Sequence, residues 1–167
     1  MKALKTMRFD PSDESVFDSA AGSDEWAIPG GFSFAGLPSH ALEGKTRQAF
    51  ANGFLSIESF GRSTFTTVAD ISEAEYARNC ECLASHLQAD YGAPSHDDAM
   101  VAARSELEFV IDLCREATVN TVFTLRRSHD ENGEIREEFR TVNPSQAGSH
   151  TKIWTIVDDD MSELAQL

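Results

Sequence analysis

A chain of 167 residues, 41% of them hydrophobic, has room for one domain of ordinary size and enough apolar material for a core. Its formal net charge of −14 repels phosphate backbones and anionic lipid headgroups, which disfavours general nucleic-acid and membrane-surface binding. No run approaches the ~18 apolar residues of a membrane span, and the lysine-bearing start lacks the apolar stretch of a secretory signal, so the expected location is the cytoplasm.

Taken in order, Ala3 to Phe9 reads as a strand that ends at the turn cluster Asp10-Pro11-Ser12-Asp13. An acidic stretch follows, holding Glu14, Asp18, Asp24 and Glu25. Trp26–Ile28 and Phe32–Ala35 are short apolar runs around Pro29-Gly30-Gly31, either one bulged strand or two strands about a turn. Pro38-Ser39 opens a short helical stretch with Leu42, Ala49 and Phe50, stopped at Asn52-Gly53. Phe54–Phe60 and Ser63–Val68 are β-rich and flank Gly61-Arg62, a pair suited to a type II′ turn, so a hairpin is expected.

Ser72 to Ala117 carries the strongest periodicity. Tyr76, Cys80, Leu83, Leu87 and Tyr91 recur at steps of three and four, and Ser72 with Glu75 has capping-box spacing. Gly92 and Pro94 stop that helix, and Ser95 caps the next, whose stripe is Met100, Ala103, Leu107, Val110, Ile111 and Cys114. Ala102, Phe109 and Leu113 widen the stripe past half the circumference, so this helix is expected to touch both its partner and a sheet. The Gly92-Ala93-Pro94 link is short enough to force an antiparallel pair.

Thr121–Arg127 and Ile135–Val142 then alternate around Asp130-Glu131-Asn132-Gly133, a specific hairpin signal. Lys152–Val157 is a last strand, and residues 158–167, with Asp158, Asp159, Asp160 and Glu163, form an acidic tail. Strands joined by hairpins, with the helices grouped, predict an α+β fold. A mostly antiparallel sheet of six or seven strands is covered on one face by an antiparallel helix pair, all in a single domain over residues 1–157.

Chemical constellations are sparse. Gly44-Lys45-Thr46 resembles the end of a phosphate-binding loop, but Ser39 stands where that loop needs its first glycine, and no parallel β–loop–α unit surrounds it. Cys82 and His86 lie one helical turn apart, yet zinc needs three or four ligands. Cys80 and Cys114 read better as small apolar residues in the helix seam. No nucleophile elbow is present, and no metal or cofactor is expected.

One basic feature stands out. If Phe123, Leu125, Ile135 and Phe139 face the core, alternation sends Arg126, Arg136 and Arg140 to the opposite face. Arg62 sits at the other hairpin's turn. These four arginines are the candidate ligand-binding residues, suited to a carboxylate, a phosphate or an acidic partner. The competing reading is cross-strand pairing with Glu58, Glu137 and Glu138, which needs no ligand.

Five stretches resemble a small family of uncharacterised bacterial proteins: 5–13 (KTMRFDPSD), 44–50 (GKTRQAF), 53–55 (GFL), 59–64 (SFGRST) and 91–94 (YGAP). The resemblance implies a soluble bacterial single-domain protein and transfers no activity or site residue. A complete fold signal beside an absent catalytic one points to a non-enzymatic accessory or interaction protein, such as a subunit or assembly factor of a bacterial complex. Its partner would be a protein, a second copy among the candidates. The alternative is a small-molecule domain binding an anion on the open sheet face. Catalysis by scattered residues is the third reading, and the sequence leans away from an enzyme.

Overall fold

The computed structural model describes residues 1–142 and the backbone of 154–156. The acidic tail over 158–167 lies outside the described residues, as do the flanks of the last strand.

Eight strands are hydrogen-bonded in one sheet: β1 (Lys2–Met7), β2 (Trp26–Ile28), β3 (Phe54–Ser56), β4 (Arg62–Ser63), β5 (Phe65–Asp70), β6 (Val122–His129), β7 (Ile135–Val142) and β8 (Trp154–Ile156). Their spatial order is β4-β3-β2-β1-β5-β6-β7-β8, and neighbouring strands run antiparallel throughout. Only Thr64 separates β4 from β5, yet the two stand first and fifth in that order. The sheet therefore curls on itself. One bent segment, 62–70, pairs with β3 through its first part and with β1 through its second.

The helices are α1 (Ser12–Val16), α2 (Gly44–Asn52), α3 (Glu73–Asp90) and α4 (His96–Cys114). The signals at 72–95 work as expected. Ser72 Oγ accepts the Glu75 amide (3.1 Å) while the Glu75 carboxylate accepts the Ser72 amide (3.0 Å), and Gly92 takes φ +73° at the link. Cys80, Leu83 and Leu87 of α3 and Ala103, Leu107 and Val110 of α4 join Leu4, Ala27, Val68 and Phe123 of the sheet in one buried cluster. The α+β architecture with a helix pair on one sheet face is thus the observed one.

Two local readings are corrected. The run Phe32–Ala35 is no strand: Gly31–Phe34 forms a 3₁₀ turn entered through Gly30 at φ +72°. A side chain at Gly30 would meet Leu55 Cβ at 2.5 Å, so the close approach of this turn to β3 requires glycine. Arg62 is also not a turn residue. The β3–β4 register Leu55↔Arg62 puts it in a strand, and the turn is displaced to residues 57–61, with Phe60 at φ +57°.

A smaller apolar cluster of Phe34, Leu42 and Phe50 lies beside the main one. It seats α2 on β6, the Phe50 ring stacking on His129 at 4.7 Å between centroids. The 3₁₀ turn is thereby held among α2, α4 and the β6–β7 hairpin.

Candidate functional site

The β6–β7 register pairs Arg126 with Glu138, Ser128 with Arg136 and Thr124 with Arg140. The alternation therefore works as read: Arg126, Arg136 and Arg140 share the face turned away from the helices. Glu138 sits among them, and its carboxylate pairs with Arg140 at 3.2 Å. Arg62 is not with them. It lies at the opposite side of the order, in β4, and is 9% exposed.

The same alternation that turns Arg126 outward turns Arg127 inward, alongside Phe123 and Leu125. Its side chain is fully buried. Nε donates to Glu137 on the paired position of β7 (2.9 Å), Nη1 to the carbonyl of Phe50 (2.7 Å) and Nη2 to that of Pro29 (2.7 Å). Arg62 approaches from the other strand: Nη1 donates to the carbonyl of Gly53 (3.0 Å) and Nη2 to the Ser33 hydroxyl. Both guanidiniums stand over the ring of Phe34, at 4.7 Å for Arg62 and 5.4 Å for Arg127. Two cations thus occupy the negative end of α2 and hold the 3₁₀ turn through the Pro29 carbonyl before it, the Ser33 hydroxyl and the Phe34 ring.

Their electrostatic situations differ. Burial pushes Arg62 down to about 9, and repulsion from Arg127 adds to it, though the group stays charged at neutral pH. Burial lowers Arg127 too, with contact to Glu137 opposing the shift. Among the described residues, Arg127 has a carboxylate in contact and Arg62 has none.

A cavity lies on each side of the turn. The first, about 430 Å³, runs between the turn, α4 and β7; Phe32, Ala35, Phe109 and Ile135 give its apolar walls, Glu106 and Glu137 its acid. Glu106 is half-buried, and no hydrogen bond or ion pair reaches it among the described residues. Burial raises its pKa above the usual glutamate range and the nearby Glu137 charge raises it further, while the buried Arg127 guanidinium opposes the shift. Phe109, on the widened part of the α4 stripe, meets the Phe139 ring of the sheet at 5.5 Å between centroids and is still 45% exposed at this cleft. Phe32 continues the wall toward Tyr91, their rings meeting edge to face at 5.2 Å.

The second cavity, about 310 Å³, is lined by Arg62, Phe34, Phe17, Phe60 and, at the start of α2, Lys45 and Thr46. A larger hollow of about 790 Å³ lies at Tyr76, and four of its polar groups are engaged with one another. The Tyr76 hydroxyl donates to Glu108 (3.3 Å), and Arg115 pairs with Asp112. It holds no buried charge in want of a partner.

The other sequence candidates have structural roles. Gly44-Lys45-Thr46 opens α2 after a 3₁₀ turn, without a preceding strand. The Cys82 thiol donates to the Ile57 carbonyl (3.2 Å), and His86 pairs with Asp90 (3.0 Å) and stacks on Phe60. Cys80 and Cys114 are buried in the main core.

Sequence reasoning missed Arg127, Glu106 and Phe34. The signal for Arg127 was present, since inward alternation in a strand of buried residues leaves it no other side. No helix among the described residues is long and apolar enough to cross a membrane. A family model described as a family of unknown function, DUF6505, matches residues 1–159. No curated protein and no solved structure matches the chain.

Proposed function

The chain belongs to DUF6505, a family that brings no activity with it, and on the geometry we propose a non-enzymatic interaction protein whose Glu106 cleft receives a cationic side chain of a basic partner. The observation that carries this is Glu106: a half-buried carboxylate without an ion pair among the described residues, in a cleft it shares with half-buried Phe32 and exposed Phe109. The cation near it, buried Arg127, is already paired with Glu137, so among the described residues no cation makes contact with the Glu106 carboxylate itself. Phe32 and Phe109 offer the ring faces over which a guanidinium or ammonium settles. The overall charge of −14 draws a basic partner in and speeds its encounter. A second copy of the chain, equally acidic, is the less suited occupant.

The wider reading is a bacterial, cytoplasmic, single-domain accessory protein that binds neither nucleic acid nor membrane. Free thiols at Cys80, Cys82 and Cys114 suit a reducing compartment. The open sheet face is the weaker place for the alternative, anion binding, because Glu138 already sits among Arg126, Arg136 and Arg140.

The test uses N-acetyl-arginine methylamide and its neutral citrulline analogue, titrated against the ¹⁵N-labelled protein. Saturable shifts of the Ser105, Glu106 and Phe109 amides by the arginine probe alone, lost in Glu106→Gln, are expected. Equal response to citrulline, or an undiminished response in the variant, refutes the reading.

A further inference from the structure

We propose that the cavity on the Arg62 side of the turn binds a small organic monoanion, a carboxylate carried on an apolar body. The argument starts from charge. Arg62 and Arg127 share the Phe34 ring, and one carboxylate, Glu137, touches only Arg127. A buried guanidinium that faces a second cation and has no anion in contact is a costly arrangement unless an anion completes it. Arg62 keeps donors to spare, because Gly53 and Ser33 take one each of the five that its guanidinium offers.

The space in front of it fits such an anion. Lys45 lines the same cavity as the buried cation, from the exposed first turn of α2. Glu43, the N-cap of that helix, makes no side-chain cap, so the first-turn amides are not taken by it. Phe17, Phe34, Leu37 and Phe60 supply apolar wall, more than a hydrated inorganic ion would use. Asp18 is the one carboxylate on the lining, and it pairs with neither Arg62 nor Lys45. A volume of about 310 Å³ sits at the small end of the range for ligand pockets, which selects a compact molecule.

This site is separate from the Glu106 cleft in its residues and in the sign of its ligand, so either can fail alone. Benzoate, its neutral isostere benzamide and inorganic phosphate are titrated at constant ionic strength, with melting temperature and the Lys45, Thr46 and Ala49 amide signals as readouts. Benzoate is expected to shift those amides saturably and raise the melting temperature, with benzamide inert. Lys45→Glu, an exposed change that leaves the fold intact, is expected to weaken benzoate at least tenfold, whereas Arg62→Met removes the response and also lowers stability. Equal effects of benzoate and benzamide, a response to phosphate alone, or full binding by Lys45→Glu each overturn the proposal.

Discussion

Ala99, Ala103, Leu107, Val110 and Cys114 of α4 are buried against other apolar groups of the main cluster, while the turn at Gly31–Phe34 is fastened by two guanidiniums donating to carbonyls, a carboxylate and a hydroxyl. The two regions lie side by side but resist different insults. Apolar packing tolerates a change of shape in proportion to the volume lost. A buried charge network fails at once when one member goes, since the partner left behind is stranded in a poor solvent. Of the three cavities at Tyr76, Glu106 and Arg62, two flank the turn, and these two hold the buried charges, so the part of the molecule held by polar groups is the part that presents chemistry.

The largest expected effect follows from this contrast. Arg127→Ala strands Glu137 and frees the carbonyls of Phe50 and Pro29, for a loss of about 3–5 kcal/mol in urea unfolding. Replacing both partners, Arg127→Met with Glu137→Leu, recovers part of that loss because no charge is stranded. If the double variant is as unstable as the single one, the loss lies in the carbonyl contacts and not in the ion pair. Leu107→Ala, in the seam, costs about 2–5 kcal/mol through its cavity. Hydrogen exchange separates the two regions: the Arg127 variant opens α2 and the turn first, whereas the Leu107 variant lowers protection along α3 and α4.

Arg62 sharpens the comparison between the two cations. Its removal takes one donor from the Gly53 carbonyl, which Arg127 Nη1 still reaches at 3.5 Å, and one from the Ser33 hydroxyl. It strands no carboxylate, so Arg62→Met costs about 1–3 kcal/mol, less than Arg127→Ala. A larger loss at Arg62 than at Arg127 would mean that Glu137 serves both guanidiniums, and the difference drawn between them would be wrong.

The same contrast explains what could be read from the residues alone. The helix pair was legible because caps, a glycine stop and a three-four apolar step are local signals, each within one turn of the next. The same periodicity rightly sent Phe109 toward the sheet, where it meets Phe139, but gave no sign of its exposure, because it reports which face is apolar and not how fully that face is covered. Arg62 was misplaced because Gly61-Arg62 has the composition of a tight turn, whereas the actual turn is set by Phe60 at positive φ and by the parallel bridge from Ala20 to Arg62. The arginine clamp joins residues 29, 34, 50, 53, 62, 127 and 137, and no sequence spacing encodes contacts so far apart. Arg126, Arg136 and Arg140 were placed together correctly because a strand's period of two extends along one hairpin.

The smallest expected effect is the most diagnostic of the acid cleft. Burial holds the Glu106 carboxyl above its ordinary value, so the folded chain binds that proton more tightly than the unfolded chain does. The stability this confers is therefore full below the unfolded value of about 4.3 and is lost as pH rises through the raised folded value. Glu106→Gln stays neutral throughout and escapes that loss. At pH 7 the variant should melt slightly above the parent, and the gap should close as pH falls toward 4. A group serving the fold would behave oppositely, its removal lowering the melting temperature at neutral pH. A residue whose loss stabilises the molecule while abolishing the arginine probe's effect is held in place for something outside the chain, whereas a destabilised variant at pH 7 would make Glu106 part of the scaffold and leave the cleft without its reason to bind a cation.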